Sequence, residues 1–161
     1  MFSSLKPRIY VRISAERLVI RNAKSGQEIS DVPEVALSGP PKPRILAVGT
    51  QARVSAAGTD AQIVNPFAHP RSLVSDFTVA ELLLKAFLRR LQGHSLLAVA
   101  PVVVMHPLGN PAGGFTQVEN RAFREMALGA GAAEVVVWNG RTLTDQELLS
   151  GQWPAPGAVQ Q

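Results

Sequence analysis

The chain has no cysteine among its 161 residues. Disulfide staples and thiolate metal sites are therefore excluded, and a reducing cytosol fits without strain. Charge is sparse, at 17% of residues against 46% hydrophobic. That balance excludes a disordered, self-repelling chain. No apolar run approaches the roughly 20 residues that cross a bilayer. The stretch Met1 to Ser14 lacks the uninterrupted apolar segment of a secretory signal. A cytoplasmic location is expected. No internal repeat is visible, and the length suits one domain with its own core.

The net charge of +4 is unevenly placed. Residues 1–60 hold nine Lys/Arg against five acids, and the remainder is balanced. A basic N-terminal part could meet an acidic partner or nucleic acid through residues 6–53. The bases are spread along strand-like segments, which favours a solvated face over a nucleic-acid site. Phe2 and Leu5 beside Lys6 and Arg8 could touch an anionic membrane weakly, but Pro7 interrupts any amphipathic helix there.

Periodicity divides the chain into elements. Ile9 to Ser14 alternates, with Ile9, Val11 and Ile13 on one face and Arg8, Tyr10 and Arg12 on the other. Leu18 to Asn22 forms a second strand, and a third, weaker one is expected near Glu34 to Leu37. Ser38 to Arg44 is a proline-rich break. Ile45 to Val48 is a short strand, and residues 50–75, with Pro66 and Pro70, read as an irregular excursion with one strand at Ala61 to Val64. Thr78-x-x-Glu81 predicts a capping box opening a helix whose stripe is Ala80, Leu83, Leu84, Phe87 and Leu91, stopped by Gly93. Glu81, Lys85 and Arg89 fall on its exposed face.

Leu97 to Met105 reads as a strand buried on both sides. A loop rich in glycine and proline follows from Pro107 to Gly114. Thr116-x-x-Glu119 predicts a second capped helix with Val118, Ala122 and Met126 inward, ended by Gly129 and Gly131. Ala133 to Trp138 is a further strand, Asn139-Gly140 a turn, and Thr144 to Leu149 a short helix. Residues 1–150 then make one domain, and 151–161 a flexible tail. The order is an α/β one, with an antiparallel start continuing into a parallel sheet flanked by helices. The ribonuclease-H-like fold, shared by actins and sugar kinases, begins this way.

Chemistry is harder to find. The loop carrying Gly109, Asn110, Gly113, Gly114 and Thr116 precedes a helix N-terminus, the geometry of an anion site. It lacks the Gly-Lys-Ser/Thr ending of a P-loop, and a plain surface or interaction loop is the favoured reading. His69, His94 and His106 are scattered, so no metal site is expected. No nucleophile elbow is present.

Specific residues resemble MreB, the bacterial actin-like family that determines rod shape. They are Ala47-Val48-Gly49, Val74-Ser75-Asp76-Phe77-Thr78-Val79, Thr116-Gln117-Val118-Glu119, Arg121-Ala122, Arg124-Glu125 and Gly129-Ala130-Gly131-Ala132. The resemblance implies an actin-like ATPase half-domain of mixed sheet, the first domain of MreB, with residues 45–70 standing in for its small projecting subdomain. Such ATPases carry an Asp-x-Gly-Thr turn whose aspartate holds magnesium through water. The matching stretch here is Arg12-Ile13-Ser14-Ala15, a degenerate phosphate loop with a cation in the aspartate's place. Two-metal nuclease chemistry fails at the same position, which would need a carboxylate. The family's Glu-Glu-Pro after its last strand is replaced by Trp138-Asn139-Gly140-Arg141. The expectation is therefore a pseudo-ATPase without cofactor or enzymatic activity. Its partner would be a protein, either full-length MreB or a second copy of itself. Phosphate or nucleotide binding by the 109–114 loop is the rival reading.

Overall fold

A computed structural model of the chain describes residues 6–39, 41–69, 74, 76–93, 99–109, 113–155 and 157–160. Strand β1 (Arg8–Ile13) lies at the centre of a six-stranded sheet. It pairs antiparallel with β2 (Leu18–Asn22), which pairs antiparallel with β3 (Glu28–Asp31). On its other side β1 runs parallel to β7 (Val102–Pro107), and β7 parallel to β8 (Glu134–Gly140). Strand β9 (Gly157–Gln160) adds antiparallel to β8. A second sheet of three antiparallel strands has β4 (Val35–Leu37) between β5 (Ile45–Val48) and β6 (Gln62–Val64), with α1 (Gln51–Ala56) packed on it.

The alternation of β1 sets the layers. Ile9, Val11 and Ile13 join Val103, Met105, Val135 and Val137 beneath α2 (Phe77–Gln92) and α3 (Gln117–Gly129). Tyr10, Val104, Val136 and Trp138 face the other way. They are covered by α4 (Asp145–Ser150), Leu143 and Trp153. Sheet and helices thus form a covered α/β layer structure in which β7 is buried at every position. Among the described residues no helix is long and apolar enough to cross a membrane.

Several elements differ from the sequence expectation. The third strand of the main sheet is β3, because Ile29 alone of Glu28, Ile29 and Ser30 is withdrawn from solvent and so short an edge strand carries little periodicity. The segment expected third, β4, belongs instead to the small sheet, which therefore begins before residue 45. Helix α1 buries only Ala52, and Val54 stays exposed, so no stripe marks it. Strand β7 starts at Val102, after Pro101, whose missing donor suits a strand's entrance; residues 94–98 lie outside the described set, and Val99 and Ala100 are exposed.

The helix caps correct the reading at one end. Helix α2 opens one residue before Thr78, and Asp76, not Thr78, is its cap, accepting from the Val79 amide at 3.1 Å. Val118 is 78% exposed rather than inward; Asn120, Phe123, Met126 and Ala127 form the buried side of α3.

The C-terminal segment also corrects the expectation. Residues 157–160 are a strand, and Trp153 stacks on Trp138 with ring centroids 5.9 Å apart. Asn139-Gly140 is not a turn but the end of β8, opposite Ala158 and Gly157. The glycine pair is required by the fully buried Trp138 indole. A Cβ at Gly140 or Gly157 would stand 2.4 or 2.1 Å from ring carbons of Trp138.

Candidate functional site

The C-terminal ends of β7 and β8 open into a cavity of about 460 Å³. This is the end of a parallel sheet where α/β folds place ligands. Its wall includes His106 and Leu108 from β7 and its exit, Gly109, Gly114 and Phe115 from the loop, Asn120 of α3, Asn139 of β8, and Ala158 and Gln160 of β9.

The Tyr10 hydroxyl lies 2.5 Å from Nδ1 of His106, tying the two rings together. Tyr10 in turn accepts the Leu143 amide at 3.2 Å. Burial, first of all, pushes the imidazole pKa below its ordinary value, and the Arg12 charge adds to this. Burial likewise raises the Tyr10 phenol. The pair is therefore a neutral hydrogen-bonded unit at neutral pH, with Tyr10 donating to His106. Beside it, Asn139 Nδ2 makes a long contact of 3.5 Å to Asn120 Oδ1, and Asn139 Oδ1 is buried without a partner among the described residues.

The loop and helix end are less available to an anion than their sequence suggests. Gly109, Gly113 and Gly114 take positive φ, and a Cβ at each would meet nothing within 4 Å, so backbone conformation alone demands glycine there. Thr116 Oγ1 accepts the Glu119 amide at 3.1 Å, while Glu119 Oε2 accepts from the Thr116 amide at 2.8 Å. The chain's own carboxylate thus occupies the place an anion would take at the helix end.

The other candidate residues do not join this cavity. Arg12 reaches towards Glu28 at 3.5 Å and lies over the Tyr10 ring. The Ser14 amide donates to the Arg17 carbonyl at 3.0 Å, and Ser14 Oγ accepts the Arg17 amide at 3.1 Å. The Ala15 carbonyl accepts from Asn65 Nδ2 at 2.8 Å. The turn is tied to itself and to the residue after β6. Of the loop candidates, Gly109 and Gly114 line the cavity, Gly113 precedes it, Thr116 caps α3, and Asn110 lies outside the described residues.

Sequence reasoning missed His106, Asn120, Asn139 and Gln160 as neighbours. Only Asn139, standing where the resemblance expects a carboxylate, carried a signal. No carboxylate, lysine or arginine lines the cavity among the described residues, and no cluster there could hold a metal ion. A magnesium nucleotide needs both an acid for the metal's waters and a donor array for phosphate. The residues present do not fit that group.

An antiparallel hairpin feeding a parallel sheet, helices on both faces and a small sheet inserted ahead of α2 define one half of an actin-like ATPase fold. Comparison with known proteins agrees. The MreB/Mbl protein family matches residues 15–144, and the chain belongs to that family. It is 36% identical over 99 residues to the cell shape-determining protein MreB of Escherichia coli strain K12, a match covering 61% of this chain and 27% of that protein. It is also 36% identical over 91 residues to MreB of Haemophilus influenzae, covering 56% of this chain and 25% of that protein. The chain thus spans about a quarter of the curated relatives it matches. Among solved structures, MreB5 of Spiroplasma citri bound to ADP superposes with a TM-score of 0.64 at 19% identity, covering 83% of this chain and 38% of that one. The same protein bound to AMPPNP gives the same score.

Proposed function

We propose that this chain is a non-hydrolysing member of the MreB family that serves bacterial cell shape through protein contact. The observation that carries this reading is the neutrality of the cavity above β7 and β8. Where the family's Glu-Glu-Pro would supply acid, Asn139 and Gly140 stand, and Arg12 replaces the metal-holding aspartate on a turn that does not reach the cavity. Glu119 fills the helix end that could otherwise receive phosphate.

Contact with a protein is supported by apolar side chains left outside. Phe77 and Leu82 on α2 and Val118 and Leu128 on α3 are all exposed. Phe77 and Val118 share a groove with Glu81 and Arg121, giving an apolar strip with charged edges. The partner expected is a filament of full-length MreB or a second copy of this chain, in the cytoplasm.

Calorimetry with magnesium–ATP, alongside phosphate release, tests the first half of the proposal. No heat of binding and no phosphate above background are expected. Saturable binding that disappears in Gly113→Ala and Gly114→Ala would instead establish the 109–114 loop as a nucleotide site.

A further inference from the structure

Two arginines differ from every other cation of the described residues. The remaining lysines and arginines either pair with a carboxylate or stand exposed to water. Arg8 and Arg124 are half-buried, and neither guanidinium has an ion pair or hydrogen bond among the described residues. Both line one cavity of about 510 Å³ at the N-terminal ends of β1, β7 and β8. It lies at the opposite end of the sheet from the cavity described above.

A guanidinium offers five donors and keeps its charge at any ordinary pH. Withdrawing it from water without an acceptor is unfavourable, and two such groups on one wall repel each other. Among the described residues the one acid on the wall, Glu134, is engaged by Lys6 at 3.3 Å and is itself more than half exposed. Val102, Val136, Leu128 and Trp153 add apolar side chains to this largely polar wall. Trp153 stacks on the buried Trp138. Positive charge, unused donors and an aromatic ring on one wall suit a ligand with a negative head and an apolar or planar body.

We propose that this cavity binds an organic anion, a carboxylate or phosphate head on an apolar or planar body, with Arg8 and Arg124 holding the head. The site lies apart from the cavity above β7 and β8 and from the groove between α2 and α3, and shares only Leu128 with the apolar side chains offered to a protein partner.

Nitrogen-15 labelled full chain would be titrated with 2-naphthoate, with neutral 2-naphthamide and with inorganic phosphate, following backbone and indole signals by NMR. Saturable shifts by naphthoate are expected at Val102, Leu128, Glu134, Val136 and the Trp153 indole. The amide should bind about tenfold more weakly or worse, as should naphthoate to Arg8→Gln or Arg124→Gln. Arg89→Gln, at an exposed arginine of α2, should leave affinity unchanged. Unaltered signals away from the cavity show that each variant is folded. Shifts elsewhere, naphthoate binding to either arginine variant as tightly as to the parent, or no saturable response at roughly millimolar ligand would overturn the proposal. Inorganic phosphate binding as tightly as naphthoate would overturn it too, because the apolar side chains would then contribute nothing.

Discussion

Asp31 is 6% exposed, and its carboxylate serves three segments at once. Oδ1 accepts the amides of Val32 at 2.8 Å and Thr50 at 3.0 Å, and Oδ2 meets Arg90 of α2 at 3.3 Å. The acid thus ties the edge of the main sheet to the start of α1 and to the helical layer. Gly49 is shaped around it, since a Cβ there would lie 2.1 Å from Asp31 Oδ2. Removing a buried acceptor of two amides leaves both donors unsatisfied. Asp31→Ala is expected to lower unfolding free energy by about 2–3 kcal/mol in urea titration, through a shifted midpoint. A change below about 0.5 kcal/mol would mean water replaces the carboxylate.

Glu147 gives a pH dependence at the same scale. Its pairing with Arg141 at 2.6 Å, aided by the Thr144 amide, holds its pKa at about 2 instead of 4.5. The unfolded chain therefore takes up the proton first as pH falls. The stabilisation is complete above pH 4.5 and is lost between there and about 2. Asp145, lowered by its hydrogen bond to Arg21, acts in the same direction. In Glu147→Gln the denaturation midpoint should vary less over that window than in the parent. Parallel curves for the two proteins would refute the assignment.

At the scale of elements, the packing around Trp138 explains why β8 and β9 exist where turn and tail were expected. Asn-Gly is a strong turn signal in isolation. Here the glycine is needed because the Trp138 indole lies against Gly140 and Gly157, and Trp138 Nε1 donates to the Arg141 carbonyl at 2.8 Å. Gly157→Ala should therefore displace the ring and cost about 1–3 kcal/mol, the range for overpacking a filled site. Near-ultraviolet circular dichroism should lose the coupled signal of the Trp138–Trp153 pair. Intact dichroism with unchanged stability would show that the ring can move aside freely.

The same contrast shows which elements were legible. Helices α2 and α3, with stripes and glycine stops, and β1, with strict alternation, carry their environment in their own spacing. Strands β3 and β9 are four residues long and take their structure from neighbours. Only half of α2's start was readable. Thr78 satisfies the capping-box pattern, but Asp76 reaches the Val79 amide first and moves the boundary. Val118 fits an inward stripe by position, yet α3 is rotated so that Asn120 and Phe123 are buried instead.

For the whole molecule, the family was legible and the site only partly so. Thr116 to Glu119 with the glycine-rich stop, and the loss of acid at Arg12, follow from single residues. The cavity does not, because His106, Asn120, Asn139 and Gln160 come from four elements that only the folded sheet brings together. The folded chain has a neutral cavity at the C-terminal ends of β7 and β8, apolar strips on its helices and an arginine-lined cavity at the other end of the sheet.

Co-sedimentation of the purified chain with ATP filaments of full-length MreB tests the central claim most directly. Saturable pelleting is predicted, without phosphate release attributable to the chain, and weakened by Val118→Glu, which places charge on the exposed strip. Phosphate release that rises with the chain alone, or a chain that stays in the supernatant at every filament concentration and also remains monomeric, would contradict the account.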